Sequence, residues 1–264
     1  MSGGWRPAAQ RPGLWALAGI VTAVVVWEAW VRVADVAPFI TIAPSKIARE
    51  ILENPTFWIE QTWLTAWHTL VGVSIALFLA IGFGALLAVS RQLEWATQPL
   101  LVLVMVTPWV AYITSVVNWL GPGTPTILFM VTFVTFPALV FAAVQGMRSA
   151  DLAAREVLAS VDAGGTEVFW RLRLPSAMPS LFTATRFATG LGLAAAYFAE
   201  GGSVAAGVGL GEVGRRGAQS SSGYEILWAS IVCAALLGVA LLLLVTGLER
   251  RVLRWHASQR SDAT

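Results

Sequence analysis

Long apolar stretches broken by short polar ones set the rhythm of the chain, and a bilayer-spanning helix needs about 20 apolar residues. Six stretches are long enough: 13–34, 63–89, 99–120, 127–147, 179–199 and 226–247. Most connections are short. The exceptions are the loops around 35–62 and 200–225 and the segment 148–178. The pattern predicts an all-α polytopic membrane protein of about six transmembrane helices, with residues 1–264 forming a single transmembrane domain. Its parts are an anchor helix and outer amphipathic segment (1–62), a core (63–247) and a tail (248–264).

Composition supports the reading. Hydrophobic residues are 57%, charged residues 12% and mean hydropathy is +0.71, whereas a soluble domain carries about twice that charged fraction. The lone Cys233 excludes a disulfide framework, and a net charge of +2 does not suggest a nucleic-acid partner. Cations sort by loop. With both ends inside, Arg6, Arg11, Arg91, Arg148, Arg155, Arg171, Arg173, Arg250, Arg251, Arg254 and Arg260 are cytoplasmic. Arg32, Lys46, Arg49, Arg215 and Arg216 are outside. The excess of basic residues inside predicts an N-in, C-in arrangement. Arg6 and Arg11 before an apolar run also resemble a secretory signal, but Glu28 and Arg32 near its far end point to an uncleaved anchor.

Several local features carry expectations. Ser45 is expected to cap a short outer helix with Ile47, Ile51 and Leu52 on one face. That helix either meets a substrate-delivery protein or lies on headgroups. Gly72, Ser74, Gly82 and Gly84 predict a face of the second span that packs closely on other helices. His68, with no carboxylate near it in sequence, reads as a packed residue rather than a metal ligand. Pro108 disturbs the third span, and irregular backbone at membrane depth is tolerated only where it is buried or lines water. Trp109, Tyr112, Thr114 and Asn118 therefore line a pathway or belong to a kinked packing helix. Arg186, inside the fifth span, either faces the pathway or snorkels and bridges helices. Gly209-Leu-Gly211-Glu-Val-Gly214 matches a dinucleotide fingerprint but lacks the strand, turn and helix around it, and is rejected.

The segment from Asp151 to Pro175 is polar and Arg-bearing, lies on the basic side and runs directly into an apolar span. Ala154, Val157, Leu158 and Val161 recur at helical spacing, as do Val168, Phe169 and Leu172. Asp162-Ala-Gly-Gly165 reads as a turn, Thr166 as an N-cap and Pro175 as a stop. Two short amphipathic helices at a bend either dock a partner or anchor the loop at the interface.

This segment resembles the cytoplasmic loop of ABC-importer permeases, whose pattern is Glu-Ala-Ala, three residues, Gly, nine residues, Ile, one residue, Leu-Pro. Anchored on Leu174-Pro175, the pattern sets Glu156 on its Glu, Asp162 on its Gly and Leu172 on its Ile, with Val157-Leu158 in place of the Ala pair. Arg186-Phe-Ala-Thr-Gly190 and Ala199-Glu200 are similar to motifs after the loop in nitrate, sulfonate, taurine and bicarbonate permeases. So are Ala43-Pro-Ser45, Ser90-Arg91 with Glu94, Pro99-Leu100, Pro108, Trp119-Leu-Gly121 and Glu249 to Trp255.

The resemblance implies a MetI-like type I permease fold in a bacterial inner membrane and a transport subunit that is not an enzyme. It implies as partners a second permease copy in a homodimer, two ABC ATPase subunits carrying ATP and magnesium, and an extracytoplasmic binding protein delivering a sulfonate, nitrate, bicarbonate or related small molecule. It implies no cofactor on this chain. The implied ATPase-coupling residues are Glu156, Val157, Leu158, Asp162, Gly164, Phe169, Leu172, Leu174 and Pro175. Glu200 joins Trp109, Tyr112, Thr114, Asn118 and Arg186 as pathway candidates. The absence of any GxxxxGK[ST] loop puts ATP binding on another chain. Alternatives are a secondary transporter, disfavoured because no carboxylate lies in mid-membrane, and a membrane-embedded enzyme, disfavoured by the missing catalytic motifs.

Overall fold

The computed structural model describes residues 12–203, 209–220 and 223–253. Arg6, Arg11, Arg254, Trp255 and Arg260, named above, lie outside them. The described residues form helices only: α1 (Pro12–Val33), α2 (Pro44–Glu53), α3 (Pro55–Val89), α4 (Arg91–Val106), α5 (Ile113–Leu120), α6 (Thr124–Arg148), α7 (Leu152–Ser160), α8 (Gly165–Val168), α9 (Leu174–Ser203), α10 (Leu210–Gln219) and α11 (Tyr224–Val252). A 3₁₀ turn, Trp109–Tyr112, precedes α5, and a π turn, Phe169–Arg173, precedes α9.

Four of these, α1, α3, α6 and α11, are long and apolar enough to cross a bilayer. The expected third span is bent by 90° where α4 gives way to Trp109–Leu120. Pro108 cannot donate a backbone hydrogen bond, and the Thr107 hydroxyl turns back to the Leu103 carbonyl at 2.7 Å. The pair nevertheless runs from end to end of α6. Glu94 at its start pairs with Arg148 at 2.6 Å, and Gly121 at its close accepts from the Thr126 hydroxyl at 2.6 Å. The fifth expected span, α9, is 30 residues long but less apolar, because it packs on α3, α6 and α11 rather than on lipid.

The core is the α3, α6 and α9 bundle. Of the small residues on α3, Gly72 and Gly84 are the ones that let α6 approach: an added Cβ would lie 2.5 Å from Val131 Cγ1 and 2.6 Å from Ala143 Cβ. Gly82 faces open space and Ser74 is exposed, so the predicted small-residue face is half as long as expected. By contrast α1 is apolar all round and exposed along its length, as a helix solvated by lipid should be. It meets the body at its outer end, where Trp27 lies against Trp228 at 5.6 Å. There the Glu28 carboxylate accepts from the Ser45 amide at 2.9 Å and the Ser45 hydroxyl at 2.7 Å.

That use of Ser45 corrects its assignment as a cap: Ala43 is the N-cap of α2 and no side chain caps it. Ile47 and Ile51 pack into a cluster with Trp58, Leu210 and Cys233, whereas Leu52 is exposed. The expected loop after Glu200 is in part α10, a helix with one buried side. Arg215 and Arg216 both donate to the buried Glu212 and hold its carboxyl below the usual carboxylate range, Arg215 contributing most.

Among the described residues, Arg91, Arg148, Arg155, Arg171, Arg173, Arg250 and Arg251 lie at the α7 end, and Arg32, Lys46, Arg49, Arg215 and Arg216 at the opposite end. In a Cys233→Ala background, a cysteine replacing Asp151 is expected to react with an impermeant maleimide only from the cytoplasm. One replacing Gln219 is expected to react only from outside. Both side chains are exposed, and the reverse labelling pattern would invert the orientation.

Candidate coupling surface and translocation face

At the α7 end the chain makes a helical hairpin. Asp151 caps α7, its carboxylate accepting from the Ala153 amide at 3.0 Å. The helix ends on Asp162 at φ +51°, with Ala163 N donating to Leu158 O at 3.0 Å and Asp162 N to Ala159 O at 3.1 Å. This is the left-handed stop that glycine usually supplies, and aspartate is one of the few other residues to enter that region readily. The substitution of Asp for the pattern's Gly therefore preserves the turn.

Two expectations for the second arm are corrected. Gly164, not Thr166, is the N-cap of α8, and no side chain caps it. Pro175 is not a stop, because it sits in the first turn of α9, where a missing N–H is tolerated. The proline cannot donate to the Arg171 carbonyl four residues back, and the backbone widens there into the π turn. Residues 165–203 are consequently one continuous helical run. Any displacement of α8 passes directly into α9.

The coupling candidates separate into two sets. Phe169 and Leu172 point inward, Phe169 onto Ala143, Met147, Ala177 and Leu181, and Leu172 is buried. Leu174 and Pro175 border a shallow depression with Met178 and Val252. Glu156, Val157, Asp162 and Gly164 are exposed and Leu158 is half-buried. The residue that the sequence reading missed is Trp170, 62% exposed beside the inward Phe169. With Leu152, Val157 and Val161, each more than 60% exposed, it gives the hairpin an apolar surface. The adjacent Phe169-Trp170 pair within a polar segment was the available signal.

The pathway candidates separate as well. Trp109, Tyr112, Thr114 and Asn118 stay together on the bent segment. Trp109 stacks edge-on against Phe198 at 5.8 Å, and Tyr112 against Phe133 at 6.0 Å. Thr114 and Asn118, one helical turn apart, are exposed. Polar groups on a crossing helix do not face hydrocarbon without cost, so this side faces water or another chain. Arg186 lies twelve residues from Phe198, roughly 18 Å down α9, and its Nε is 3.4 Å from Glu249 Oε2 on α11. That is the helix-bridging geometry. Glu200 has no exposed surface and lines no open face.

His68 has the carboxylate partner that its sequence neighbours did not supply. Its Nδ1 lies 2.8 Å from Glu200 Oε1, and its Nε2 lies 3.4 Å from the Thr124 hydroxyl. Among the described residues no three His, Cys, Asp or Glu side chains gather as a metal site.

The helical bundle, with an exposed apolar hairpin at one end and exposed polar groups on a broken crossing segment, is that of a polytopic membrane protein. Residues 57–254 match the family described as binding-protein-dependent transport system inner membrane component, and the chain belongs to that family. It is 24% identical to the taurine transport system permease protein of Escherichia coli (strain K12), over 96% of this chain and 93% of that one. It is 28% identical to the formylaminopyrimidine transport permease protein of Halalkalibacterium halodurans, over 89% and 93%. Identity to the putative aliphatic sulfonates transport permease protein of E. coli is also 28%, over 73% and 72%. The protein is thus a non-enzymatic permease subunit of an ABC importer in a bacterial inner membrane, of a kind that works with an ATPase and a substrate-binding protein.

Two substitutions test the geometry. Asp162→Gly is expected to leave thermal stability in detergent unchanged or slightly raised. Asp162→Val is expected to cost about 1–2 kcal/mol, because a β-branched residue resists positive φ. Separately, Arg186→Ala and Glu249→Ala are each expected to cost about 1 kcal/mol, and the charge-swapped Arg186→Glu/Glu249→Arg pair to recover most of that. Unaltered stability in both single variants would remove the bridge.

Proposed function

We propose that two copies of this chain form one pathway for a small organic solute, with the Thr114 and Asn118 side of the bent segment turned toward it. The chain is read as N-in and C-in, so that the α7–α8 hairpin meets the ATPase pair in the cytoplasm. ATP and magnesium belong to the ATPase, and this chain binds no cofactor. The outer face around α2 receives the delivery protein. The solute is of the sulfonate or small heterocycle type, a class supported by the names of the similar permeases.

The single observation that carries this reading is the mechanical continuity of the hairpin with α9. Trp170, Val157 and Val161 offer an exposed apolar surface to a partner, while Phe169 and Leu172, a residue or two from Trp170, are rooted in the body. Closure of an ATPase pair on the first set would pull on the second. The result is a rigid-body rocking of the bundle, the usual form of such transitions.

Co-expression with an ABC ATPase from the same genome, followed by affinity purification and uptake of labelled taurine, is the test. Trp170→Ala and Glu156→Arg are each expected to reduce recovered ATPase about tenfold, as loss of an interface anchor does, with the permease still inserted at normal abundance. Full ATPase recovery in both variants would make the hairpin a membrane anchor only.

A further inference from the structure

The start of α10 presents backbone amides that no residue of α10 can satisfy, and three of them find a side chain from another helix. Gly209 N donates to Gln61 Oε1 at 3.2 Å, Leu210 N to Thr65 Oγ at 2.9 Å and Gly211 N to Glu200 Oε2 at 3.0 Å. The Thr65 hydroxyl passes its own proton to the same Glu200 oxygen at 2.9 Å. The other carboxylate oxygen faces His68 Nδ1. A carboxylate only accepts, so the network assigns the ring proton to Nδ1 and leaves Nε2 to accept from Thr124 on α6. Gln61, Thr65, His68 and Glu200 are all buried.

The fit leaves no room for other residues at the contact. Gly209 has φ +102° and a Cβ there would lie 2.5 Å from the Glu200 carboxylate, while one at Gly211 would overlap the Tyr197 carbonyl. The negative charge also sits at the positive end of the α10 dipole. Further along α10, Gly214 lies close to the Tyr197 and Ser230 hydroxyls, and Gly217 to the backbone of Leu227 and Gly223.

We propose that Glu200 is a positioning residue for transport: supported by His68 and Thr65, it caps α10 from outside that helix and welds the outer ends of α3, α6, α9 and α10 into one body. Outward opening then takes place elsewhere, at the Thr107–Pro108 break, where α4 buries only Leu101 among its described residues. The role in transport rests on the importer reading above. The clamp itself does not.

Hydrogen–deuterium exchange of the full-length chain in nanodiscs, alone and with the copurified ATPase, separates the two. Glu200→Ala is expected to accelerate exchange at 209–211 about tenfold, the loss of one hydrogen bond worth about a decade, with α6 amides unchanged. Glu200→Gln keeps an oxygen for Gly211 and Thr65 and turns its amide to His68, whose proton shifts to Nε2. It is expected to exchange like the wild type. Thr65→Val, nearly isosteric, should accelerate the same peptide should the Ala variant not fold. Wild-type exchange at 209–211 in Glu200→Ala, or in Thr65→Val where that variant stands in, overturns the clamp. Exchange in the Gln variant as fast as in the Ala variant, or acceleration spread through α6, does the same. In the ATPase complex, trapping with ATP and vanadate is expected to alter exchange at 107–120 but not at 210–219, and an equal response of both overturns the rigid body. Absence of a copurifying ATPase would sink the importer reading while the clamp stands or falls on the nanodisc data.

Discussion

A carboxylate with no solvent exposure, inside a bundle surrounded by hydrocarbon, has to be ringed with donors or lose its charge. Glu200 is ringed: two donors come to one oxygen and an imidazole to the other. Those donors belong to α3, α9's neighbour in the core, and to α10, so satisfying one side chain sets the mutual positions of three helices. The same requirement works in reverse for α10, whose opening amides would otherwise be stranded at the outer end. Each group's cost is the other's solution, and the glycines at 209 and 211 follow from the closeness it demands.

At the opposite end the constraint is met with different chemistry. Arg148 closes α6 by donating to the Leu87 carbonyl at 2.8 Å and to Glu94 at 2.6 Å, which joins the end of α3 to the start of α4 just before the hairpin begins. Pro175 creates a backbone group that cannot be paired in α-helical register, and the chain answers with a π turn instead of stopping. Because the helix continues, the hairpin is a lever on α9 and not a loosely tethered loop. Of its adjacent aromatics, Phe169 packs inward and Trp170 is exposed.

Much of this was legible beforehand, and the misses share a cause. Length and hydropathy located the spans because lipid imposes them directly, and the Pro108 break and the Asp162 turn followed from local chemistry. What sequence periodicity could not supply was pairing across distance. Glu200 and His68 are 132 residues apart, so His68 read as lacking a carboxylate and Glu200 as a pathway residue. Arg186 and Glu249 were each noticed, but not as partners. Ser45 looked like a cap because its local pattern fits one, yet Glu28 on α1 competes for both its amide and its hydroxyl. Trp170 was passed over since helical spacing selected Phe169, and the π turn decides which of two neighbouring rings faces out.

The two halves of the chain's polar inventory therefore have opposite duties. Gln61, Thr65, His68, Glu200 and Glu212, buried on α3, α9 and α10, are consumed in internal bonds and cannot respond to a solute without breaking the bundle. Thr114 and Asn118, by contrast, are exposed and stand on a crossing segment bent by 90°. A helix interrupted at Thr107–Pro108 has already forfeited the hydrogen bonds that would resist further bending, whereas reorienting α9 would require tearing the Glu200 cluster and the close α9 contacts at Gly146 and Gly192. The least costly large motion for this sequence is at the bend, on the same segment that carries the exposed polar groups.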